Sequence, residues 1–568
     1  MRVTGEDMTQ KGILRIPDAV RSSFKPIIQV LGAARAELMS SEEVAAVRPG
    51  YQFPGEGAPV PAVIVAIVPG TPRHAIDVAF LAQQYRVPFS VADATPEEQL
   101  AALGRVDPVI TFGVDLPQFS PFERLLSDEE QPVEFAPPRM GSYLSLDPPA
   151  LPLVDEFMDV TICVSPDVGW GELESFLACT RQRLTVAMYQ FTAPHIFRAV
   201  HDVLAPPDRT LSLVLHPSPE PPAKFGVKAQ DMREEDVLEE LAGTMGDRFS
   251  VSWATVISKQ RPAGLWASAY HSKVAVRDGQ TFWLSSGNWQ SSNQPPFHPF
   301  AEDADCLPLD YQQLYNREYH AIITNERLAT VFESCIDRDA ELIADAGTIE
   351  PGPSNDLLVA EVASQEPLQF NEPQQLFPPL RLSRRVTVQP LLTPDNYVEH
   401  TLALIRSATA SVWFQNQYIN FRNTGEDFVE FQLLVEALRE KIAAGLDVRI
   451  ICRDYMKQES VDILLALGFP RDVIRFQPCC HNKAIIVDRM VALLGSHNWS
   501  NEGVSTNRDA SLIFFDEEIA DYLAAIYEYD WEQLARTTLK QDLPRLAPPG
   551  EPAPQGYVRV PYAAVYAD

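Results

Sequence analysis

The chain has 568 residues, of which 46% are hydrophobic, 9% aromatic and 22% charged, a composition typical of a globular protein with several domains. Its formal net charge of −31 opposes broad, nonspecific binding of nucleic acid, and also docking on an anionic bilayer without a local basic patch or a bridging divalent cation. No run of about 18 apolar residues predicts a membrane helix, and the N-terminus lacks an apolar core of signal-peptide length. We therefore expect a cytoplasmic protein with no integral membrane segment.

Residues 1–115 alternate predicted strands and helices, which indicates a smaller N-terminal α/β domain. Apolar runs at 60–68 and 87–93 predict buried strands, and the stretch at 75–85 predicts the helix between them. This region contains no catalytic motif that would reveal its role. Residues 116–155 are rich in proline and acidic side chains, a composition that predicts a connector.

From residue 156 onward, the order of predicted elements occurs twice. Each copy has strands and helices in alternation, then a His-Lys stretch, then an Asn-Arg-acid segment that enters an apolar strand. This order predicts an α/β fold in which two duplicated α/β/α modules pack about a pseudo-twofold axis. The predicted boundaries are 156–346 for the first module, 347–384 for a linker, 385–540 for the second module and 541–568 for a proline-rich tail.

The candidate site comes from two stretches, HSKVAVRDGQTFWLSSGN at 271–288 and HNKAIIVDRMVALLGSHN at 481–498. Both have the same spacing, with Lys two residues after His, Asp seven, Ser fifteen and Asn seventeen. On a strand, the His and Lys side chains point to one face, and a returning strand brings Ser and Asn beside them. The aspartates fall at the expected turn, so we expect them to brace it. The residues are His271, Lys273, Asp278, Ser286 and Asn288, and His481, Lys483, Asp488, Ser496 and Asn498.

These residue types, each present twice, suit chemistry on a phosphodiester. Ammonium and amide groups bind its nonbridging oxygens, one imidazole attacks phosphorus, and a second protonates the leaving oxygen. No carboxylate cluster is available to hold magnesium, so the lysines must neutralise the phosphate, and we expect no metal and no other cofactor. The alternative is that the hairpin keeps these residues for turn structure alone. Recurrence of four polar residue types at identical spacing favours catalysis.

The two stretches resemble the paired HxKxxxxD motifs, each followed by Gly-Ser-x-Asn, of the phospholipase D superfamily. The resemblance covers about residues 156–540 and is complete in the second copy. The first copy departs at Ser285, where the family has glycine, and we expect a slightly altered pocket there. The resemblance implies a two-step mechanism in which His271 forms a covalent phosphohistidine and His481 acts as acid and base.

The resemblance also implies roles for the remaining residues. The lysines and asparagines would hold the phosphate, namely Lys273, Lys483, Asn288 and Asn498. An acid from each Asn-Arg-acid segment, Glu318 or Asp509, would orient a histidine through its second ring nitrogen, the alternative being an ordinary surface acid. Supporting positions are Ser286, Ser496, Asp278 and Asp488. We expect three further histidines, His195, His320 and His497, not to be catalytic.

Three functions remain open at this point. The first is hydrolysis or transfer of a phosphodiester, favoured on a phospholipid because both motifs lie in one chain. The second is a metal-independent nuclease acting on DNA or RNA, which the net charge disfavours. The third is a noncatalytic scaffold, against which both intact motifs count. Because each module carries its own motif, we expect the site to be complete in one chain, while headgroup preference and oligomeric state stay undetermined.

Overall fold

The structure, a computed structural model, describes the following residues: 14–54, 57–106, 119–127, 141–143, 149–217, 230–257, 264–300, 311–346, 356–360, 374–421, 429–539, 545–547, 552–554 and 557–561. Parts of the expected connector, linker and tail lie outside these residues.

The N-terminal region is a three-stranded sheet covered by helices. Its elements are α1 (Asp18–Leu38), β1 (Val44–Gln52), β2 (Val60–Ile67), α2 (Val78–Tyr85), β3 (Phe89–Asp93), α3 (Pro96–Val106) and α4 (Pro121–Leu126). The strands β2 and β3 and the helix α2 confirm the three elements expected between residues 60 and 93. Helix α1 buries Phe24, Ile27, Leu31 and Ala34, a stripe at helical spacing, in an apolar core shared with the C-terminal part of the chain.

The next part of the chain alternates strands and helices. Its elements are β4 (Val154–Ser165), α5 (Gly169–Ala178), β5 (Arg183–Met188), α6 (Pro194–Leu204), β6 (Thr210–Leu215), α7 (Glu234–Met245), β7 (Phe249–Trp253), β8 (Val274–Arg277), β9 (Thr281–Ser285), α8 (Tyr311–Leu314), β10 (Glu318–Thr324), α9 (Glu326–Ala346) and β11 (Asp356–Ala360). The segment from β4 to α9 is called the first half below.

The last part repeats this alternation. Its elements are β12 (Leu380–Leu392), α10 (Tyr397–Ser407), β13 (Ser411–Gln415), β14 (Ile419–Asn420), α11 (Val429–Ala443), β15 (Asp447–Arg453), α12 (Gln458–Ala466), β16 (Ile474–Gln477), β17 (Lys483–Val487), β18 (Val491–Gly495), β19 (Trp499–Ser500), α13 (Asn501–Ser505), β20 (Ala510–Phe514), α14 (Glu517–Tyr529), β21 (Arg545–Leu546) and β22 (Tyr557–Pro561). The segment from β12 to α14 is called the second half. Single 3-10 turns occur at Arg73–Ala75, Gly246–Arg248 and Arg471–Val473, and a π turn at Asp530–Leu534.

Both halves contribute to one 14-stranded sheet in the order β16-β15-β13-β17-β18-β20-β12-β4-β10-β9-β8-β5-β6-β7. Its centre is the antiparallel pair β4 and β12, in register from Val154 opposite Val388 to Ile162 opposite Leu380. Read outward from this pair, corresponding strands follow in the same order on both sides, as the expected duplication requires. The α/β class predicted from the sequence is confirmed.

The two halves of the sheet also meet away from the central pair. Strand β10 contacts both β17 and β18, and strand β9 contacts β18. A single apolar core contains side chains of both halves, including Tyr319, Ile323, Ala484 and Leu494. This packing brings the two His-Lys stretches to the same interface, where β9 and β10 of the first half meet β17 and β18 of the second. This interface is called the seam below.

Candidate active site

Both motif histidines lie just before the strand on which the sequence placed them. Strand β8 begins at Val274 and β17 at Lys483, and the backbone of each histidine, ahead of its strand, bonds to the opposite half. The backbone N–H of His271 donates to the carbonyl of Arg508 at 2.7 Å, and that of His481 donates to the carbonyl of Arg317 at 3.3 Å. Each Asn-Arg-acid segment is therefore held beside the His-Lys stretch of the other half.

The consequence is that each histidine meets an acid from the opposite half. Nδ1 of His271 lies 2.8 Å from Oδ1 of Asp509 in a hydrogen bond. Nδ1 of His481 lies 2.6 Å from Oε1 of Glu318, a distance that fits a hydrogen bond, but without the alignment that one requires. The residues expected to orient the histidines thus contact them, and both contacts cross the seam.

The motif serines hold the acids of their own half. The hydroxyl of Ser286 donates to Oε2 of Glu318 at 2.6 Å, and that of Ser496 donates to Oδ1 of Asp509 at 2.6 Å. The side-chain amide of Asn293 also donates to Glu318. These bonds fix each carboxylate before it reaches across the seam to a histidine.

The two motif lysines are completely buried. Nζ of Lys273 donates to the carbonyl of His271 at 2.6 Å, and Nζ of Lys483 donates to that of His481 at 2.5 Å. Burial lowers the pKa of both ammonium groups, that of Lys483 to about 8. Neither forms an ion pair with any residue in the described ranges, so both ammonium charges are available to an anion.

The motif asparagines carry buried polar atoms that other side chains leave unpaired. Asn288 donates to Gln190 and Gln290 at 3.4 and 3.3 Å, but its Oδ1 has no hydrogen-bond partner among the described residues. In Asn498, neither side-chain polar atom has such a partner. A buried polar group left unpaired costs about 1–3 kcal/mol, so these atoms mark places where a substrate could bond.

The motif aspartates lie at the far end of β8 and β17 from the histidines. Both adopt left-handed backbone conformations, with φ of 55° at Asp278 and 53° at Asp488. The carboxylate of Asp278 accepts backbone N–H groups of residues 181–183, and that of Asp488 accepts those of residues 409–411. Each aspartate therefore fixes the loop that enters the neighbouring strand, β5 or β13.

Ser285, which departs from the motif, contacts a second residue that also differs between the two halves. Its hydroxyl hydrogen-bonds with Nδ1 of His320 at 2.8 Å, and the other ring nitrogen of His320 meets Ser165 at 2.8 Å. In the second half, Gly495 packs on Ser511, whose Oγ would lie 1.9 Å from any added Cβ. The pair Ser285 and His320 in the first half thus occupies the place of the pair Gly495 and Ser511 in the second half.

His320 and His497 are buried and engaged through both ring nitrogens. His497 lies between Thr393 and Ser511 and stacks on Tyr397 with ring centroids 3.6 Å apart. Burial lowers the pKa of His320 to about 4 and that of His497 to about 3, so both imidazoles are neutral near pH 7. These contacts are structural, and neither ring has a nitrogen left for a substrate.

The two His-acid pairs differ in their protonation. Burial, reinforced by Lys273, lowers the pKa of His271 to about 4, whereas burial and several cations lower that of His481 well below 6.5. Burial opposes ionisation of Asp509, but the charge and hydrogen bond of His271 outweigh it and bring the pKa to about 2. Burial raises the pKa of Glu318, because it outweighs the charge of Lys483 and the hydrogen bond from Ser286, which both favour the ionised carboxylate.

Sequence reasoning missed two side chains beside these pairs, His216 and Arg453. His216 follows β6 and stacks on Tyr189 at 4.4 Å, and Tyr189 meets the ring of His271 edge-on at 4.9 Å. Arg453 is the last residue of β15 and contributes to the lowered pKa of His481. The available signal was topological, since sites gather at the carboxyl ends of parallel strands.

In the described part of the chain, no group of three or more His, Cys, Asp or Glu side chains is arranged to hold a metal ion. The helices that the structure describes include none long and apolar enough to cross a membrane.

Comparisons with known proteins match part of the chain. Residues 401–531 match the family model described as "Cardiolipin synthase, PLD-like domain". Cardiolipin synthase A of Pseudomonas entomophila (strain L48) is 27% identical over 177 residues, covering 26% of this chain and 35% of the relative. Cardiolipin synthase A of Pseudomonas putida (strain W619) is 29% identical over 141 residues, covering 24% and 28%. The chain thus spans about a third of the length of these curated relatives.

Two solved structures are also similar. Phosphatidylserine synthase of Haemophilus influenzae Rd KW20 has a TM-score of 0.42 at 13% identity, covering 67% of this chain and 89% of that chain. Nuc of Salmonella typhimurium, described as a phospholipase D family member, has a TM-score of 0.21 at 21% identity, covering 27% and 97%.

Proposed function

Because the chain belongs to the phospholipase D superfamily, we propose that it cleaves a phosphodiester of a phospholipid and passes the phosphatidyl group to water or to an alcohol. The observation that carries this proposal is the seam itself, where two histidines, each beside an acid of the other half, accompany two buried lysines without ion pairs. The resemblance of residues 401–531 to cardiolipin synthases supports a phospholipid as the substrate.

In the proposed complex, the phosphate lies between the two lysines. The ammonium groups of Lys273 and Lys483 neutralise the negative charge of the diester, and the side-chain N–H groups of Asn288 and Asn498 donate to its oxygens. An anion placed here favours the protonated lysines and so opposes the lowering of their pKa by burial.

The first step forms a covalent phosphohistidine. Asp509 accepts the Nδ1 proton of His271, which leaves the Nε2 lone pair of that ring free to attack phosphorus. As the new P–N bond forms, the P–O bond to the headgroup alcohol breaks. His481 donates a proton to the departing oxygen, so that a neutral alcohol leaves.

The second step reverses these roles. His481, now neutral, takes a proton from water or from an acceptor alcohol. The resulting oxygen attacks phosphorus, the P–N bond breaks, and His271 is released in its starting form. Water yields a phosphatidic acid, and an alcohol yields a new phosphodiester, so that hydrolysis and transfer differ only in the acceptor.

The experiment is a parallel assay of the purified full-length protein on phosphatidylcholine and phosphatidylglycerol in mixed micelles, and on single- and double-stranded DNA. We expect phospholipid cleavage, a transfer product when a primary alcohol is added, and no change on adding EDTA, because the lysines supply the positive charge. His271→Ala protein is the matched negative control. Cleavage of DNA with no cleavage of phospholipid would contradict the proposal.

A further inference from the structure

The ends of strands β6 and β15 occupy corresponding positions beside the site but carry different residues. Strand β6 is in register with β5 from Thr210 opposite Arg183, and β15 is in register with β13 from Asp447 opposite Ser411. Counting from these pairs, His216 in the first half corresponds to Arg453 in the second. Burial lowers the pKa of His216 to about 3, so its imidazole is neutral, whereas a guanidinium keeps its charge at any ordinary pH.

No carboxylate of the described residues lies within ion-pairing distance of Arg453, although the charge of the adjacent Asp454 acts on it. Its Nη1 donates to Oδ1 of Asn316 at 3.1 Å, and its guanidinium lies 4.5 Å from the ring centre of Tyr455. Its Nε is buried without a hydrogen-bond partner, although the residue as a whole is partly exposed. A buried guanidinium N–H without an acceptor costs free energy, and a bound anion would satisfy it.

The two arginines of the Asn-Arg-acid segments show how this chain treats a structural guanidinium. Each is fully buried and bridges two carboxylates: Arg317 pairs with Asp167 and Asp530, and Arg508 pairs with Asp339 and Asp395. Arg453 has a neutral amide and an aromatic ring in place of those carboxylates. Arg453 therefore lacks the contacting carboxylates that neutralise the other two arginines.

Arg453 lies on the His481 side of the site. Its hydrogen-bond partner Asn316 is two residues from Glu318, the acid that contacts His481. Its charge is among the causes that lower the pKa of both His481 and Lys483. A group bound by Arg453 would therefore belong to the alcohol whose oxygen His481 protonates or deprotonates.

We propose that Arg453 binds a second anionic group, a carboxylate or a phosphate, on the alcohol portion of the phosphodiester or on the acceptor alcohol. This inference rests on the proposed function, because that function gives His481 the proton of this alcohol. In the proposed complex the two lysines bind the diester, which leaves the guanidinium of Arg453 for an additional anion. The guanidinium fork suits the two oxygens of either anion.

The test uses two pairs of phospholipids in neutral mixed micelles. Phosphatidylserine differs from phosphatidylethanolamine by one carboxylate, and phosphatidylglycerophosphate differs from phosphatidylglycerol by one phosphate. The ratio of kcat/KM within each pair reports recognition of the added anion and cancels general effects on activity. The pair with the higher ratio identifies which anion is bound.

Arg453→Gln is expected to lower kcat/KM for the preferred anionic substrate by about 10- to 100-fold, the usual contribution of a hydrogen bond to a charged group. For the member of the pair without the added anion, we expect a smaller change, because only effects common to both members remain, and these cancel in the ratio. Arg453→Lys should keep part of the preference, since it retains the charge but loses the fork. Arg449→Gln is the matched control on the same strand, because Arg449 pairs with Asp447 and stacks on Trp413.

A binding measurement separates this inference from the proposed function. His271→Ala protein, which is expected not to turn substrate over, is titrated calorimetrically with glycerophosphoserine and with glycerophosphoethanolamine. The second pair of ligands is the deacylated forms of phosphatidylglycerophosphate and phosphatidylglycerol. The inference is supported if the ligand with the added anion binds more tightly than its partner, and if this preference is lost in His271→Ala/Arg453→Gln protein. This holds even if no phospholipid is cleaved. Equal binding within both pairs, or equal losses for both members on mutation, would overturn it whether or not the enzyme is active.

Discussion

The two half-sites share the motif residues His, Lys, Ser and Asn, yet their histidines are held differently. His271 makes an aligned hydrogen bond to Asp509, whose pKa lies at about 2. His481 contacts Glu318 without that alignment, and burial raises the pKa of this acid. The first pair is therefore a neutral imidazole held by a fixed anion, and the second is an imidazole held more loosely by an acid that resists ionisation.

This difference supports separate roles for the two rings. A nucleophile needs one tautomer and a fixed orientation, which the ionised Asp509 provides to His271. A proton donor needs a pKa that makes donation favourable, and burial together with Lys483 and Arg453 lowers that of His481. The asymmetry in charge therefore favours His271 as the attacking group and His481 as the acid and base.

The largest expected effect comes from removing either ring. His271→Ala and His481→Ala should each lower phospholipid turnover by about 10⁴-fold or more. A p-nitrophenyl phosphodiester distinguishes the two, because its leaving group needs no proton. His481→Ala should release about one equivalent of nitrophenolate rapidly and then stall at the phosphohistidine, while His271→Ala should give no burst. The burst is followed by stopped-flow absorbance, with circular dichroism as the control for folding. A burst in His271→Ala protein alone would reverse the assignment.

A smaller effect should separate the two acids. Asp509→Asn removes the anion that fixes the His271 tautomer and should lower kcat by about 10³-fold. Glu318→Gln should cost only about tenfold, since this acid resists ionisation and is poorly aligned with His481. Both amides keep an oxygen that can accept the hydroxyl proton of Ser286 or Ser496, so the local structure is preserved. Steady-state kinetics on a soluble diester measure both values, and a larger loss in Glu318→Gln would show that His481 is the nucleophile.

The pH dependence should reveal the lowered pKa of His481. In the proposed mechanism His481 must be protonated, and burial with nearby cations lowers its pKa below 6.5 in the free protein, so the protonated fraction falls as the pH rises through that lowered value. The kcat/KM of a soluble diester should then fall about tenfold for each pH unit above it. The limb for kcat should lie at higher pH, because the bound phosphate anion favours the imidazolium.

Arg453→Gln sharpens this measurement. Removing one cation near His481 should move the falling limb of kcat/KM to higher pH, whereas Arg449→Gln should leave it in place. A limb that moves to lower pH in Arg453→Gln protein, or kcat and kcat/KM limbs that coincide, would contradict the assignment of His481 as the acid.

How far the sequence could predict this site depends on what the repeat displays. The spacing from His to Lys, Ser and Asn is visible twice, so the residues that gather at the seam could be named from it. The partner of each histidine could not, because spacing within one half says nothing about which Asn-Arg-acid segment crosses the seam. That choice depends on backbone bonds such as His271 N–H to the Arg508 carbonyl, which form only when the halves pack.

Residues that differ between the halves were harder to recognise. Ser285 stood out as a departure, but its partner His320 became apparent only from the packing that also explains Gly495. Arg453 and His216 are different residue types, so the sequence repeat gave no reason to compare their positions. Their correspondence follows from strand register, which one sequence does not provide.

The smallest expected effect, none at all, comes from mixing the two alanine variants. Each histidine contacts an acid of the opposite half of the same chain, and the strands of both halves form one continuous sheet through β4 and β12. One polypeptide therefore contains both pairs, and a second copy has nothing to supply.

Mixed His271→Ala and His481→Ala proteins should show no more turnover than the sum of the two alone, at any protein concentration. If halves instead exchanged between chains, mixing would pair an intact His271 with an intact His481, and turnover would rise with concentration. The measurement is turnover against total protein, with size-exclusion chromatography to report exchange, and a concentration-dependent recovery would show that the site is shared between chains.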